Sequence, residues 1–253
     1  MLNLRNISKH FGNLKAVSNV TFNLKEGEIV GLIGPNGAGK TTLISLIDGS
    51  LSPTNGSATF RGEDIAGKRP DHLARKGLAR TFQIVRVFKE MTVYENVLVG
   101  ALFAANMDLS HAKQKVKEVL DFTGMSHLTD KTVHEITLPD QKKLQITRAL
   151  ATNPTLLLLD EAMAGLNSKE VDAAIELVGK IRAQGISILV IEHLMKVIMN
   201  ISDRIIVLHH GELIAEGTPR EITSNEAVIT AYFGERYKKH ISQMHNMEEQ
   251  IIG

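Results

Sequence analysis

The chain has 253 residues, of which 43% are hydrophobic and 23% charged, a composition that excludes disordered and fibrous classes and suits a folded globular protein. This length is near the upper size for one hydrophobic core, so a single domain over 1–253 with an inserted subdomain is expected. A net charge of +1 argues against general nucleic-acid binding, and the lack of cysteine excludes disulfides, thiolate zinc sites and a cysteine nucleophile.

Residues 2–24 alternate and turn like short antiparallel strands, with Phe11-Gly12-Asn13 between them. Gly27 to Gly34 reads as a buried strand, followed by a glycine-rich loop and a helix from Lys40 to about Ile47. Residues 56–66 resume strand character, and Pro70 to Arg80 reads as a basic helix leading into Thr81-Phe82-Gln83. From Val93 to Gln145 the pattern is helical, with polar breaks at Gly124 and around Leu138-Pro139-Asp140. Strand Thr155–Leu159, helix Lys169–Ala183, strand Ser187–Ile191, helix Leu194–Ile201 and strand Arg204–His209 then alternate, which implies right-handed crossovers and a mainly parallel core sheet. The expected architecture is α/β: a core with an N-terminal antiparallel β layer over 1–92 and 155–233, a helical subdomain over 93–154, and a polar tail over 234–253. No apolar run approaches the roughly 18–20 residues that cross a bilayer, and the start lacks a signal-peptide core, so a cytoplasmic chain is expected.

Gly34-Pro35-Asn36-Gly37-Ala38-Gly39-Lys40-Thr41 satisfies G-x-x-x-x-G-K-[ST], in which glycines let backbone N–H groups wrap phosphates, Lys40 meets their charge and Thr41 offers a hydroxyl to Mg²⁺. The helix that starts beside it adds the positive end of its dipole. Leu156 to Glu161 is an apolar strand ending in two carboxylates, suited to a magnesium-organising Asp160 and a water-activating Glu161 at the strand end where ligands of α/β sheets collect.

In this order the motifs resemble those of ATP-binding subunits of ABC transporters, over residues 2 to about 233. The resemblance implies a P-loop ATPase that uses ATP and Mg²⁺. Phe11 would then stack on adenine; Asn36, Gly37, Ala38, Gly39, Lys40, Thr41 and Thr42 would bind the phosphates; Thr41, Gln83 and Asp160 would hold Mg²⁺, directly or through water. Glu161, His193, Lys40 and Gln83 would act in hydrolysis, and Ala164-Gly165-Leu166-Asn167 resembles the D-loop. Taken singly, Gln83 reads as a surface amide, Phe11 as a core aromatic and His193 as a strand-end histidine.

Ala79 to Gln83, Met91 to Val97 and Ile191 to Met199 are similar to the ATPases of branched-chain, or hydrophobic, amino-acid importers. That resemblance implies integral-membrane permease partners, an indirect solute-binding protein and a place on the inner face of the cell membrane. A non-transport regulatory or scaffold ATPase is the alternative. Where the family carries L-S-G-G-Q, this chain has Ile136-Thr137-Leu138-Pro139-Asp140. Leu138 adds bulk and Pro139 has no N–H, so the site this motif feeds is expected to be impaired. Because two subunits pair head to tail in the family, a heterodimer with a second ABC ATPase subunit is expected. Ala162-Met163 replaces the usual proline after the acid, which is expected to loosen that turn. His209-His210 reads as structural, because neighbours on a strand point to opposite faces, and Arg69, Arg75, Lys76 and Arg80 read as a solvated helix face.

Overall fold

The computed structural model describes residues 1–233, so the tail expected at 234–253 lies outside the described residues. β1 (Leu2–Phe11) and β2 (Leu14–Leu24) form a hairpin. β3 (Ile29–Ile33) and α1 (Lys40–Ile47) flank the glycine-rich loop, and β4 (Asn55–Phe60) and β5 (Glu63–Asp64) follow. Next come α2 (Pro70–Arg75), β6 (Leu78–Arg80), α3 (Val93–Val99), which runs on into a π-helical turn at Gly100–Ala104, α4 (Leu109–Thr123) and α5 (Leu138–Leu150). β7 (Leu156–Asp160), α6 (Ser168–Ala183), β8 (Ser187–Ile191), α7 (Met195–Ile201), β9 (Arg204–His209), β10 (Glu212–Gly217), α8 (Pro219–Thr223) and α9 (Glu226–Phe233) complete the order.

The strands form two sheets. The first is antiparallel, in the order β2-β1-β4-β5, and the second runs β10-β9-β3-β8-β7-β6, with β10 its antiparallel edge and the other pairings parallel. Strands β3, β7 and β8 are buried at every position, as expected for parallel strands covered on both faces. Their alternation divides the core. Val30, Leu32, Leu156, Leu158, Leu189 and Ile191 pack with α1 and the antiparallel sheet. Ile29, Ile33, Leu157, Leu159, Ile188 and Val190 face a second cluster shared with α3, α4 and α5. α1 therefore lies between the two sheets, and the strand ends that carry the acids stand beside its start.

Three sequence expectations are corrected. The helix read from Pro70 to Arg80 stops at Arg75, because Gly77 takes φ +93° where an added Cβ would meet Thr155, and Leu78–Arg80 pairs with β7 as a strand. Leu138-Pro139-Asp140 does not break a helix but begins α5: the Thr137 hydroxyl caps it by accepting from the Asp140 N–H at 3.3 Å, and proline is tolerated in a first turn. The His209 and His210 rings do not point apart; their centroids are 4.0 Å from each other, because His210 leaves the strand with φ +48°. Among the described residues no group of three or more His, Cys, Asp or Glu is placed to hold a metal ion by itself.

Candidate functional site

The glycine-rich loop leaves β3 and is set by two glycines at positions where a side chain would be strained. Gly34 has φ +155°, and a Cβ there would lie 2.2 Å from the Leu208 carbonyl oxygen; Gly39 has φ +99°, and a Cβ there would lie 2.3 Å from the Ala16 carbonyl oxygen. The loop is tied to its surroundings by the Gly211 N–H donating to Ala38 O (3.0 Å) and the Ser18 N–H donating to Gly211 O (2.8 Å). Its backbone is thus held open beside the N-terminus of α1, which has no acidic residue in its first turn. That is an anion-binding arrangement.

Lys40 lies inside the loop it follows. Its Nζ donates to Gly34 O at 2.7 Å and Pro35 O at 3.0 Å. Burial lowers the Lys40 pKa from the ordinary lysine value, while the charges of Glu161 and Asp160 raise it. A cleft of about 1000 Å³ opens over the loop, lined also by Phe11, Thr41, Gln83, Glu161 and His193. Phe11 is 47% exposed there, with the Lys9 amine 5.2 Å from its ring centroid, so it is a surface platform and not a core residue.

Glu161 sits at the centre of the cleft's polar wall. Its Oε2 accepts from Gln83 Nε2 at 2.7 Å, and its Oε1 lies 2.7 Å from His193 Nε2. These three residues are 78 and 32 positions apart along the chain and meet because β6, β7 and β8 are neighbours in the parallel sheet. Glu161 takes φ +49°, a conformation that costs a non-glycine residue about 1–3 kcal/mol. Its own N–H donates to Ile191 O at 2.9 Å and holds that geometry.

The turn after Glu161 is pinned, contrary to the loosening expected from Ala162-Met163. The Met163 N–H donates to Glu192 Oε1 at 2.7 Å, and Lys142 Nζ donates to the Ala164 carbonyl. Burial pushes the Glu192 carboxyl above, and the Lys142 ammonium below, their ordinary ranges. Sequence reading passed over both residues. A glutamate inside the run Ile191-Glu192-His193 was the available signal, since a buried acid needs partners.

Asp160 is 2% exposed and is held by Arg80, whose Nη2 donates to Asp160 Oδ2 at 2.7 Å while Nη1 donates to Asp48 Oδ2 at 2.5 Å. Arg80 is therefore not part of a solvated helix face: its side chain is 8% exposed and ion-paired twice. The second oxygen of Asp160, Oδ1, is buried and has no hydrogen-bond partner among the described residues. The unsatisfied Asp160 oxygen, the Thr41 hydroxyl and the Gln83 amide oxygen are hard oxygen donors, a chemistry that fits a cation such as Mg²⁺.

The α5 start offers the opposite chemistry. The Thr137 hydroxyl donates to Asp140 Oδ2 at 2.6 Å, Pro139 stands within the first two helical positions, Asp140 puts a carboxylate in the first turn, and Leu138 is 55% exposed.

Comparison with known proteins agrees with the fold and the motif order. The family model for ABC transporters matches residues 17–164, and that for branched-chain amino acid ATP-binding cassette transporters matches residues 212–238. The high-affinity branched-chain amino acid transport ATP-binding protein LivG of Salmonella typhimurium is 41% identical, covering 93% of this chain and 98% of the relative. BraF of Pseudomonas aeruginosa, with the same description, is 38% identical at the same coverage. The crystal structure of the ADP conformation of an ABC transporter's ATP-binding cassette superposes with a TM-score of 0.83 at 34% identity, covering 93% of this chain and 99% of that one. The phosphate loop, the two-sheet core and these relatives together establish that this chain belongs to the ABC transporter family as one of its ATP-binding cassettes.

Proposed function

We propose that the chain binds ATP and Mg²⁺ in the cleft over Gly34–Thr42 and hydrolyses ATP to power an importer of branched-chain or other hydrophobic amino acids. The observation that carries the hydrolytic part is Glu161, whose two oxygens are engaged by Gln83 and His193 in the cleft that the phosphate loop lines. A carboxylate so oriented can align or deprotonate a water, while the loop N–H groups and Lys40, turned from the Gly34 and Pro35 carbonyls, offset charge on the transferring phosphoryl group. His193 adds a donor there and Phe11 offers its exposed ring to the adenine. Thr41, Gln83 and Asp160 would hold Mg²⁺, directly or through water, and the ion would supply Lewis-acid neutralisation of phosphate charge.

The amino-acid cargo is supported by the likeness to LivG and BraF, since this chain's own residues meet nucleotide and partner but not cargo. Integral-membrane permeases are the direct partners and a solute-binding protein acts through them. Among the described residues no helix is long and apolar enough to cross a membrane, so this reading attaches the chain through permeases to the inner, cytoplasmic face. A groove of about 780 Å³, between the core and the helices of 93–154, offers Arg86, Arg148, Phe88 and the 72%-exposed Phe103 to such a partner. The α5 start supports pairing with a different ATPase subunit, because Pro139 lacks an N–H and Asp140 brings negative charge.

Glu161→Gln tests the central role. It should retain ATP binding and lose hydrolysis by at least about 10²-fold, the usual contribution of a general base. Turnover close to that of the unaltered chain would remove Glu161 from the role. Recovery of the chain with membrane permeases supports import; recovery free of them, with ATP-switched binding to soluble partners, supports the regulatory alternative.

A further inference from the structure

We infer that Arg80 is a positioning residue for the magnesium site, holding Asp160 by one oxygen so that the other is left for the metal. The inference rests on the proposed role of Asp160 and goes beyond it to a residue of a different strand.

Arg80 ends β6, three residues before Gln83, and touches two further elements at once. Nη2 donates to Asp160 Oδ2 (2.7 Å) at the end of β7; Nη1 donates to Asp48 Oδ2 (2.5 Å) and Ser45 Oγ (3.2 Å) at the far end of α1. The guanidinium carbon lies 5.0 Å from the Phe82 ring centroid. Asp48 is itself fixed, its Oδ1 accepting from the Ser50 N–H at 2.8 Å. The Asp160 N–H donates to Thr81 Oγ1 at 3.3 Å. The Asp160 carboxylate is thereby anchored to the far end of the phosphate-loop helix through Arg80 and Asp48.

One guanidinium faces two carboxylates, with the side chains of Arg80, Asp48 and Asp160 8%, 7% and 3% exposed, and the charge of Asp160 also acts on the Lys40 ammonium. A buried polar atom left without a partner is unfavourable, and the one carboxylate oxygen of the cluster without a hydrogen bond is Asp160 Oδ1. A cation at Oδ1 would give that oxygen its partner. Without Arg80 the carboxylate could rotate, and a metal would face two equivalent, unoriented oxygens. Lysine cannot reproduce the arrangement, because a point charge does not span two acceptors as a planar fork does.

The test reads metal dependence, not turnover. A fluorescent ATP analogue is titrated into the full chain in EDTA and at increasing Mg²⁺, and the Mg²⁺ concentration for half-maximal tightening of nucleotide binding is measured beside the thermal midpoint. Arg80→Met should raise that concentration by about tenfold, the scale on which residues that orient metal ligands act, with affinity in EDTA nearly unchanged. Arg80→Lys should recover part of the loss. Asp48→Asn, which keeps an acceptor for Arg80, should stay close to the unaltered chain in Mg²⁺ dependence. If Arg80→Met does not fold, Arg80→Lys and Arg80→Gln carry the same comparison. Asp160→Asn separates the two layers. If it leaves Mg²⁺ dependence unchanged, the metal role of Asp160 falls and this inference with it. If it abolishes that dependence while the Arg80 variants retain it in full, the inference alone is overturned.

Discussion

The two helix starts that matter most to this chain, those of α1 and α5, meet an anion in opposite ways. At α1 the approach runs over glycines with positive φ, a lysine amine waits inside the loop, and the first turn carries no acid. At α5 a proline removes a donor, Asp140 sets a carboxylate in the first turn, and the Thr137 hydroxyl is occupied by that same Asp140. Thr137 caps α5, and α1, which has no side-chain cap, is docked between the sheets, so on the proposed reading the difference is one of function and not of stability. On that reading one chain carries an attracting half and a repelling half. Two identical copies paired head to tail would join each good half to a poor one, whereas a different partner with an intact motif would complete at least the site built on Lys40 and Glu161.

The largest effect should come from breaking the good half. Gly39→Ala places a Cβ 2.3 Å from the Ala16 carbonyl at φ +99°, and the loop must shift to accommodate it. Strain of about 1–3 kcal/mol corresponds to a loss of about 5- to 150-fold in ATP affinity, measurable by calorimetry, with little change in the helices of 93–154. Unchanged affinity would show that the loop's geometry is not what holds the phosphates.

Mending the poor half is the next test. Leu138→Gly with Pro139→Gly and Asp140→Gln restores donors and removes the charge, and in a Glu161→Gln background it should promote ATP-driven self-association. The single change Asp140→Asn should act in the same direction by only about two- to fivefold, the worth of one charge at a helix terminus. Absence of any gain from the triple change would place the asymmetry elsewhere.

The smallest effect concerns the joint between the halves, where Glu192 and Lys142 grip the turn after Glu161. Burial raises the Glu192 pKa above its ordinary 4.5. A carboxyl shifted in that direction favours the fold while protonated, below its unfolded pKa, and that contribution is lost as pH rises through the folded value. Glu192→Gln should therefore raise the urea midpoint at pH 8 relative to the unaltered chain, with the gain vanishing toward pH 4. A gain equal at both pH values would contradict the burial argument.

Much of this was readable in the sequence, for definite reasons. The phosphate loop is local, eight consecutive residues whose glycines and lysine have one shared purpose, and β7 announces itself by an unbroken apolar run ending in acids. Helix α1, strands β8 and β9 and the N-terminal hairpin follow from period and turn residues in the same way. What escaped was non-local. Arg80 looked like one more base on a polar helix, because its partners Asp48 and Asp160 lie 32 and 80 residues away and only the sheet brings them together. Leu138-Pro139-Asp140 looked like a break, although proline and an acid after threonine also describe a helix start. The clasp on Ala162–Ala164 needed Lys142 from α5 and Glu192 from the end of β8, and no spacing along the chain encodes that meeting.

The central claim, that this chain is competent on its phosphate-loop side and deficient on its α5 side, is tested most directly by the mass of the isolated Glu161→Gln chain in solution, measured by light scattering with and without ATP and Mg²⁺. The account predicts that the chain binds one ATP and stays monomeric, and that it dimerises only when a second ATPase subunit with an intact motif is added. An ATP-driven homodimer holding two nucleotides, matched by brisk turnover of the unaltered chain alone, would contradict it.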